Sequence, residues 1–100
     1  NCSICALSGN IHVIVPASRF RLLQGADNLT EYTFNAGVAK LLFCRTCGIK
    51  SFYIPRSNPD GRAVTWRCLD DWQDLDVTVN RFDGQNWEKN AGALAHKSKD

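Results

Sequence analysis

Short apolar or alternating runs, each ended by turn residues, recur along the chain and predict strands rather than long helices. Residues 30–34 alternate polar and apolar side chains with a period of two, as a strand with one buried face does. Residues 11–15 are a β-branched apolar run, and Pro59-Asp60-Gly61 is a strong turn signal. The seven predicted strands are residues 11–15, 20–23, 30–34, 38–43, 51–54, 63–68 and 77–82.

Helix signals are few. The acidic stretch at residues 70–76 predicts one helical turn. Residues 89–100 are small, polar and charged, and this composition predicts a flexible tail. The pattern therefore predicts one small, mainly β domain over residues 1–88, built from antiparallel strands with little helix.

Composition narrows the class of protein. The chain has 100 residues, of which 44% are hydrophobic and 22% are charged, so a single folded domain is expected rather than a disordered chain. No apolar run approaches the roughly 20 residues of a membrane span. The net charge of +2 is low for a nucleic-acid-binding domain, so we expect neither a membrane nor a nucleic-acid partner. The sequence contains no Met and begins Asn1-Cys2, which predicts a processed product or a fragment.

Five cysteines carry the candidate chemistry. Cys2 and Cys5 are separated by two residues, as are Cys44 and Cys47, and this spacing is typical of metal hooks. Spacing alone allows one shared four-cysteine zinc site, although the interval between the pairs is longer than in most zinc ribbons. Cys68 stands alone and is predicted to be a buried thiol. An odd number of cysteines argues against a closed disulfide framework and favours a reducing, cytoplasmic setting.

Five segments occur in an order and at a spacing that match a known family. They are Asn1-Cys2-Ser3-Ile4-Cys5, Ile14-Val15-Pro16-Ala17-Ser18-Arg19-Phe20, Phe43-Cys44-Arg45-Thr46-Cys47-Gly48, Pro55-Arg56-Ser57-Asn58-Pro59 and Cys68-Leu69-Asp70. Together they resemble the family of the glutathione-dependent formaldehyde-activating enzyme and centromere protein V. The resemblance implies a β-tent fold related to zinc ribbons, in which two antiparallel sheets meet around metal.

The resemblance also assigns the two cysteine pairs to different zinc ions. Cys2 and Cys5 match the last two positions of a Cys-x-Cys-x-x-Cys cluster that holds an open zinc site, whereas Cys44 and Cys47 match part of a closed, structural site. We therefore favour two half-sites over one shared site. The remaining ligands of both sites would precede Asn1, so the resemblance predicts weak or irregular zinc binding and no activity in this 100-residue chain alone.

The implied reaction is the addition of a thiol such as glutathione to formaldehyde, or cleavage of the adduct S-(hydroxymethyl)glutathione. The expected class is a zinc-dependent carbon-sulfur lyase whose partners are a small thiol and an aldehyde. Arg56, Ser57 and Asn58 are candidates for substrate binding, because a guanidinium can clamp a carboxylate and the other two side chains can hydrogen-bond. The alternative for this loop is a rigid turn with a solvated arginine.

Two histidine positions bear on whether the protein is an enzyme. Many members of the family have a His where this chain has Leu41, so a group that could transfer a proton is missing there. His12 lies on an apolar strand and is predicted to be structural. The alternative function is a zinc-stabilised binding module of the centromere protein V type without catalysis. Because no basic extension is visible in the sequence, we favour the enzyme.

Overall fold

Five strands form one antiparallel sheet, which confirms a small, mainly β fold. The computed structural model describes residues 3–33, 37–82 and 86–99. In chain order the strands are β1 (His12–Pro16), β2 (Leu29–Tyr32), β3 (Lys40–Cys44), β4 (Phe52–Ile54) and β5 (Gly61–Thr65). They are arranged β1-β5-β4-β3-β2, and each neighbouring pair is antiparallel. The described residues thus form one sheet rather than the two that the resemblance implies.

The helices are short. Two α-helices are described, α1 (Ser3–Ser8) and α2 (Trp87–Asn90), together with 3-10 helices at Ala17–Arg19, Ala26–Asn28, Trp66–Cys68, Trp72–Asp74 and Ala91–Ser98. The turn at Trp72–Asp74 confirms the helical turn predicted within residues 70–76. Within the described ranges, no helix has both the length and the hydrophobicity needed to cross a membrane.

The core lies on one face of the sheet. Leu41 pairs with Tyr53, Tyr53 with Ala63, and Ala63 with Ile14, so these four residues follow one row across four strands. Directly paired residues in neighbouring strands point to the same face. Leu41, Tyr53 and Ala63 are buried and Ile14 packs against them. This face, called here the core face, also carries His12 and Tyr53.

Two predicted strands are wrong. Residues 20–23 and 77–82 lie in the described ranges but have no strand pairing. Phe20 instead places its ring 4.6 Å from the ring of Phe52, on the face of the sheet opposite the core face. Val79 is 55% exposed. An alternating pattern does not by itself supply a partner backbone, and a strand persists only where another strand receives its hydrogen bonds.

The predicted strand at residues 63–68 begins earlier and ends earlier in the structure. β5 ends at Thr65, and the chain then turns through the 3-10 helix Trp66–Cys68. Cys68 is exposed, so its prediction as a buried thiol is wrong. Because the strand ends three residues before it, Cys68 lies in a surface turn instead of the sheet.

The end of the chain is folded against the sheet, whereas residues 89–100 were predicted to be a flexible tail. Residues 87–98 are helical, and Ala91 and Ser98 are buried. A Cβ atom at Gly61 would lie 2.6 Å from the Ser98 Cβ and 2.8 Å from the Val15 carbonyl oxygen, so glycine is required for this close approach. The division of the chain at residue 88 stays a prediction.

Candidate functional site

The second cysteine pair lies in a tight turn at the end of β3. The Cys44 N–H donates to the Ile49 carbonyl at 2.8 Å, and the Gly48 N–H donates to the Cys44 carbonyl at 2.8 Å. Gly48 has a φ of +79°, a left-handed conformation that glycine adopts without strain. The Arg45 N–H donates to the Asn28 carbonyl at 2.8 Å and so ties the turn to the start of β2. The segment Cys44-x-x-Cys47 thus forms a tight turn, called here the knuckle (residues 44–49), and its role as a metal hook stays a prediction.

Hydrogen bonds converge on the Cys44 sulfur. The backbone N–H of Cys47 is the largest influence and that of Thr46 the next, and together with the Cys47 thiol they lower the pKa of Cys44 below its ordinary value. The Asn28 side chain also donates Nδ2–H to Cys44 Sγ at 3.6 Å and to Thr46 Oγ1 at 2.9 Å. Donors around a sulfur favour its deprotonated form, which is the form that binds metal. Cys47 itself is exposed and can complete the hook from the solvent side.

Cys5 lies on α1, and Cys2 lies outside the described residues. The helix ends at Ser8 and is followed by Gly9, which has a left-handed φ of +65° and donates its N–H to the Ala6 carbonyl at 3.2 Å. The Asn10 N–H then bonds the Cys5 carbonyl at 2.9 Å. This helix end places the Asn10 side chain beside the half-buried Cys5, with Nδ2 at 3.9 Å from Cys5 Sγ.

A polar cluster continues from Asn10 across the core face. Asn10 Nδ2 is 3.0 Å from Nδ1 of His12, on β1. The Tyr53 hydroxyl, on β4, is 3.3 Å from each imidazole nitrogen, and the two rings are nearly perpendicular. His12 thus has hydrogen-bond partners, as a structural histidine would. One of these partners, Asn10, also contacts Cys5. Sequence reasoning missed Asn10 and Tyr53, because no local spacing connects them with a cysteine.

The imidazole of His12 favours its neutral form. Burial is the main cause and lowers the pKa of His12, and the positive charges of Lys50 and Lys97 lower it further. Lys50 lies just before β4, with Nζ 4.7 Å from the centroid of the Tyr53 ring. The cluster is therefore neutral at His12 with two cations nearby.

A cleft opens between α1 and the knuckle. It has a volume of about 190 Å³ and mostly apolar walls, with Lys50 at its edge. Leu41 is 4% exposed and forms part of this wall. The lining residues are Ser8, Tyr32, Leu41, Phe43, Gly48 and Lys50. The cleft thus borders both cysteine-bearing regions.

The loop with the predicted substrate-binding residues contacts the end of the chain. Asn58 is fully buried and donates Nδ2–H to the Leu94 carbonyl at 2.8 Å and to Ser98 Oγ at 2.9 Å. Arg56 pairs with Glu88 at 2.9 Å and stacks on Trp87, with Cζ 3.8 Å from the ring centroid.

The third candidate of that loop bonds within the loop itself. The Ser57 hydroxyl donates to Asn58 Oδ1 at 2.7 Å. The rigid turn is therefore the better description of this segment, because its polar groups hold the end of the chain and leave Asn58 no surface for a ligand. The substrate role of these three residues stays a prediction without structural support.

The two cysteine-bearing regions lie on opposite faces of the sheet. Cys44 follows Leu42 by two residues along β3 and therefore points to the face opposite Leu41. Cys5 contacts the Asn10–His12 cluster, and His12 shares the core face with Ile14. In the described part of the chain, no group of three or more His, Cys, Asp and Glu side chains is placed to hold a metal. The assignment of the two cysteine pairs to separate half-sites stays a prediction.

Comparisons with known proteins show what this chain is similar to. The chain is similar to a protein from Rhodobacter sphaeroides of known crystal structure, with 42% sequence identity and a TM-score of 0.66. The match covers 69% of this chain and 63% of the other, so this chain spans less than two thirds of that protein's length. Residues 1–85 match the family of the glutathione-dependent formaldehyde-activating enzyme. Because this match takes in most of the chain, the protein belongs to the glutathione-dependent formaldehyde-activating enzyme family.

Proposed function

We propose that this protein catalyses the addition of glutathione, or a similar small thiol, to formaldehyde and the reverse cleavage of the adduct. The observation that carries the proposal is the half-buried Cys5 beside a neutral polar cluster, on the helix whose Ser8 lines an apolar cleft. Ser8 and Cys5 are three residues apart and lie on the same side of α1, where the Ser8 hydroxyl donates to the Cys5 carbonyl at 3.2 Å. Family membership supplies the two substrates.

The reaction balances without an oxidant or a reductant. The sulfur of the thiol bonds to the carbonyl carbon of formaldehyde, the carbon–oxygen π bond opens, and the proton lost by the thiol ends on the new hydroxyl group. Cleavage is the reverse, in which the carbon–sulfur bond breaks and the hydroxyl proton returns to sulfur. The protein therefore has to favour the deprotonated thiol, hold it beside the aldehyde and limit competing water.

The cysteines fit zinc. Thiolates are preferred zinc ligands, and the knuckle aims backbone N–H groups at the Cys44 sulfur, as a metal-bound thiolate requires. Cys44 and Cys47 would hold one ion, and Cys2 with Cys5 would hold another. A zinc ion with an open position stabilises the deprotonated form of a thiol that binds it.

The cleft supplies the means to bind the rest of the thiol. Glutathione carries carboxylates, and Lys50 is the cation at the edge of the cleft. The walls formed by Leu41 and Phe43 are apolar, so their side chains offer no hydrogen bonds to water. Lys50 would then pair with a carboxylate while the sulfur of the bound thiol approaches Cys5.

The proposal is tested by the rate of adduct exchange. The full-length protein, loaded with zinc, is mixed with glutathione and formaldehyde, and exchange is followed by NMR against the uncatalysed background. We expect acceleration, and no acceleration with zinc shown to be bound would refute this function for these substrates.

A matched pair of lysine variants tests the role of the cleft. Lys50→Ala should raise the KM for glutathione about tenfold or more, since a hydrogen bond to a charged group is lost. Lys40→Ala, which alters an exposed lysine at the start of β3, should leave the KM unchanged. Equal KM values for the two variants would remove Lys50 from the binding site.

The alternative, a binding module of the centromere protein V type, would engage an acidic partner through basic surface. Two cations that it could use are already paired within the protein, Arg56 with Glu88 and Lys99 with Asp60. Neither pairing favours that function over the enzyme.

A further inference from the structure

The Asn10 side-chain amide lies between Cys5 and His12. Its Nδ2 is 3.0 Å from His12 Nδ1 and 3.9 Å from Cys5 Sγ. An amide nitrogen carries two hydrogens, so one Asn10 amide can donate to both neighbours. If the amide were turned by 180°, its oxygen would face both of them, and the Cys5 sulfur would lose its donor.

Thr65 does not decide between these two orientations. Its hydroxyl is 2.6 Å from the Lys50 carbonyl and 3.3 Å from Asn10 Oδ1. The one hydroxyl proton goes to the nearer acceptor, and a hydroxyl oxygen also accepts hydrogen bonds. Thr65 accordingly fits either orientation of the amide, and the imidazole of His12 is the neighbour that distinguishes them.

His12 can direct the amide because its ring nitrogens differ. An Nδ1 without a proton accepts the Asn10 N–H, whereas an Nδ1 that carries a proton requires the amide oxygen. Burial and the nearby Lys50 and Lys97 lower the pKa of His12 and keep the imidazole neutral, which permits a bare Nδ1. The Tyr53 hydroxyl also lies beside the ring, and the Cys5 thiol lies beyond Asn10.

We propose that His12 and Asn10 are positioning residues for Cys5. The unprotonated Nδ1 of His12 accepts one N–H of the Asn10 amide and thereby keeps the amide nitrogen directed toward the Cys5 sulfur. The inference rests on the proposed function in that it takes Cys5 to be a metal ligand. An N–H donor beside a thiolate ligand fixes its direction and stabilises its charge.

The first test reads the tautomer directly and needs neither metal nor substrate. Nitrogen-15 NMR of the imidazole rings distinguishes a protonated from a bare ring nitrogen. For neutral His12 we expect the proton on Nε2 and a bare Nδ1. A proton on Nδ1 of the neutral ring would overturn the proposal.

The second test measures zinc binding at each cysteine. Cys5 and Cys44 fall in different tryptic peptides, so protection of each thiol from alkylation can be followed by mass spectrometry as free zinc is raised. Loss of a partner that orients a metal ligand typically weakens metal affinity by about 10- to 100-fold. In Asn10→Ala we therefore expect protection of Cys5 to need about tenfold more zinc, with protection of Cys44 unchanged.

Asn28→Ala is the matched control, because Asn28 donates to Cys44 as Asn10 does to Cys5. It should shift Cys44 and not Cys5. His12→Phe should shift Cys5 as Asn10→Ala does, and His12→Gln, which retains an acceptor oxygen, should restore part of the loss. A purely structural role of His12 predicts no such restoration.

The outcomes separate this inference from the proposed function. Unchanged protection of Cys5 in Asn10→Ala, equal shifts at both cysteines, or no zinc protection of Cys5 in the wild-type protein would each overturn the inference. A selective shift at Cys5 in a protein that does not accelerate adduct exchange would leave the inference standing and refute the proposed function.

Discussion

The two cysteine-bearing regions are built in different ways. At the knuckle, backbone N–H groups of Thr46 and Cys47 surround the Cys44 sulfur within four consecutive residues. At Cys5, the surrounding groups are side chains, Asn10 first and His12 behind it. Each sulfur also receives one asparagine amide, at 3.6 Å for Cys44 and 3.9 Å for Cys5.

This difference is the reason that we propose a structural role for the knuckle and a chemical role for Cys5. A hook made from its own backbone keeps its shape as long as its turn is intact, which suits a metal that holds the fold together. A site made from side chains of α1, β1 and β4 depends on the positions of three elements and can be adjusted by each of them. Such a site suits chemistry, where the direction and the charge of one sulfur matter.

The largest effects are expected when one cysteine of each region is replaced by serine. Cys5→Ser should lower the rate of adduct exchange by more than about 100-fold, since even an outer partner of a metal ligand is worth about 10- to 100-fold. It should leave the melting temperature nearly unchanged. Cys44→Ser should lower the melting temperature, because a structural zinc contributes to folding free energy. Equal losses of stability in the two variants, measured by thermal unfolding, would abolish the distinction between the regions.

A smaller effect is expected from crowding the junction of β1, β5 and the end of the chain. Gly61→Ala places a Cβ atom against the Ser98 side chain and the Val15 backbone, and overpacking of this kind costs about 1–3 kcal/mol of unfolding free energy. Hydrogen exchange should then increase in β1, which carries His12, and not in the knuckle. Gly92→Ala is the control, since its Cβ atom would meet nothing within 4 Å. Increased exchange at residues 44–49 would show that the two regions are coupled.

The smallest effect is expected from pH. The pKa of His12 is lowered in the folded protein by burial, so the unfolded chain takes up the proton first as pH falls. The contribution of His12 to stability is complete above the ordinary histidine pKa of 6.5 and is lost as pH falls from there through the lower folded value. Wild type should therefore lose more unfolding free energy between pH 7.5 and 5.5 than His12→Gln does. Unfolding free energies are measured by urea denaturation. An equal dependence of the unfolding free energy on pH in both proteins would show that the pKa of His12 is not lowered by folding.

Local pattern was enough for much of the fold. Alternation and turn residues predicted all five strands to within a few residues, because period two and a closing proline or glycine are properties of adjacent residues. Local pattern gave wrong strands at residues 20–23 and 77–82, where the pattern is present but no partner strand receives the hydrogen bonds. It also missed the helical end of the chain, whose order comes from contacts with Asn58 some forty residues earlier.

The candidate site divides in the same manner. The sequence by itself determined the knuckle. Its sulfurs, its N–H donors and the left-handed Gly48 all lie within a few consecutive residues, so the local spacing is enough to form the turn. It also determined the family, through five short segments in register.

Only the tertiary structure decided what surrounds Cys5. Asn10, His12 and Tyr53 meet because β1 and β4 both pair with β5, and this pairing brings residue 53 beside residue 12 on one face. It likewise decided that the loop with Arg56 and Asn58 holds the end of the chain. The physical reason is that the role of a polar side chain depends on its hydrogen-bond partners. The partners of these side chains are distant in sequence, so only the folded chain brings them together.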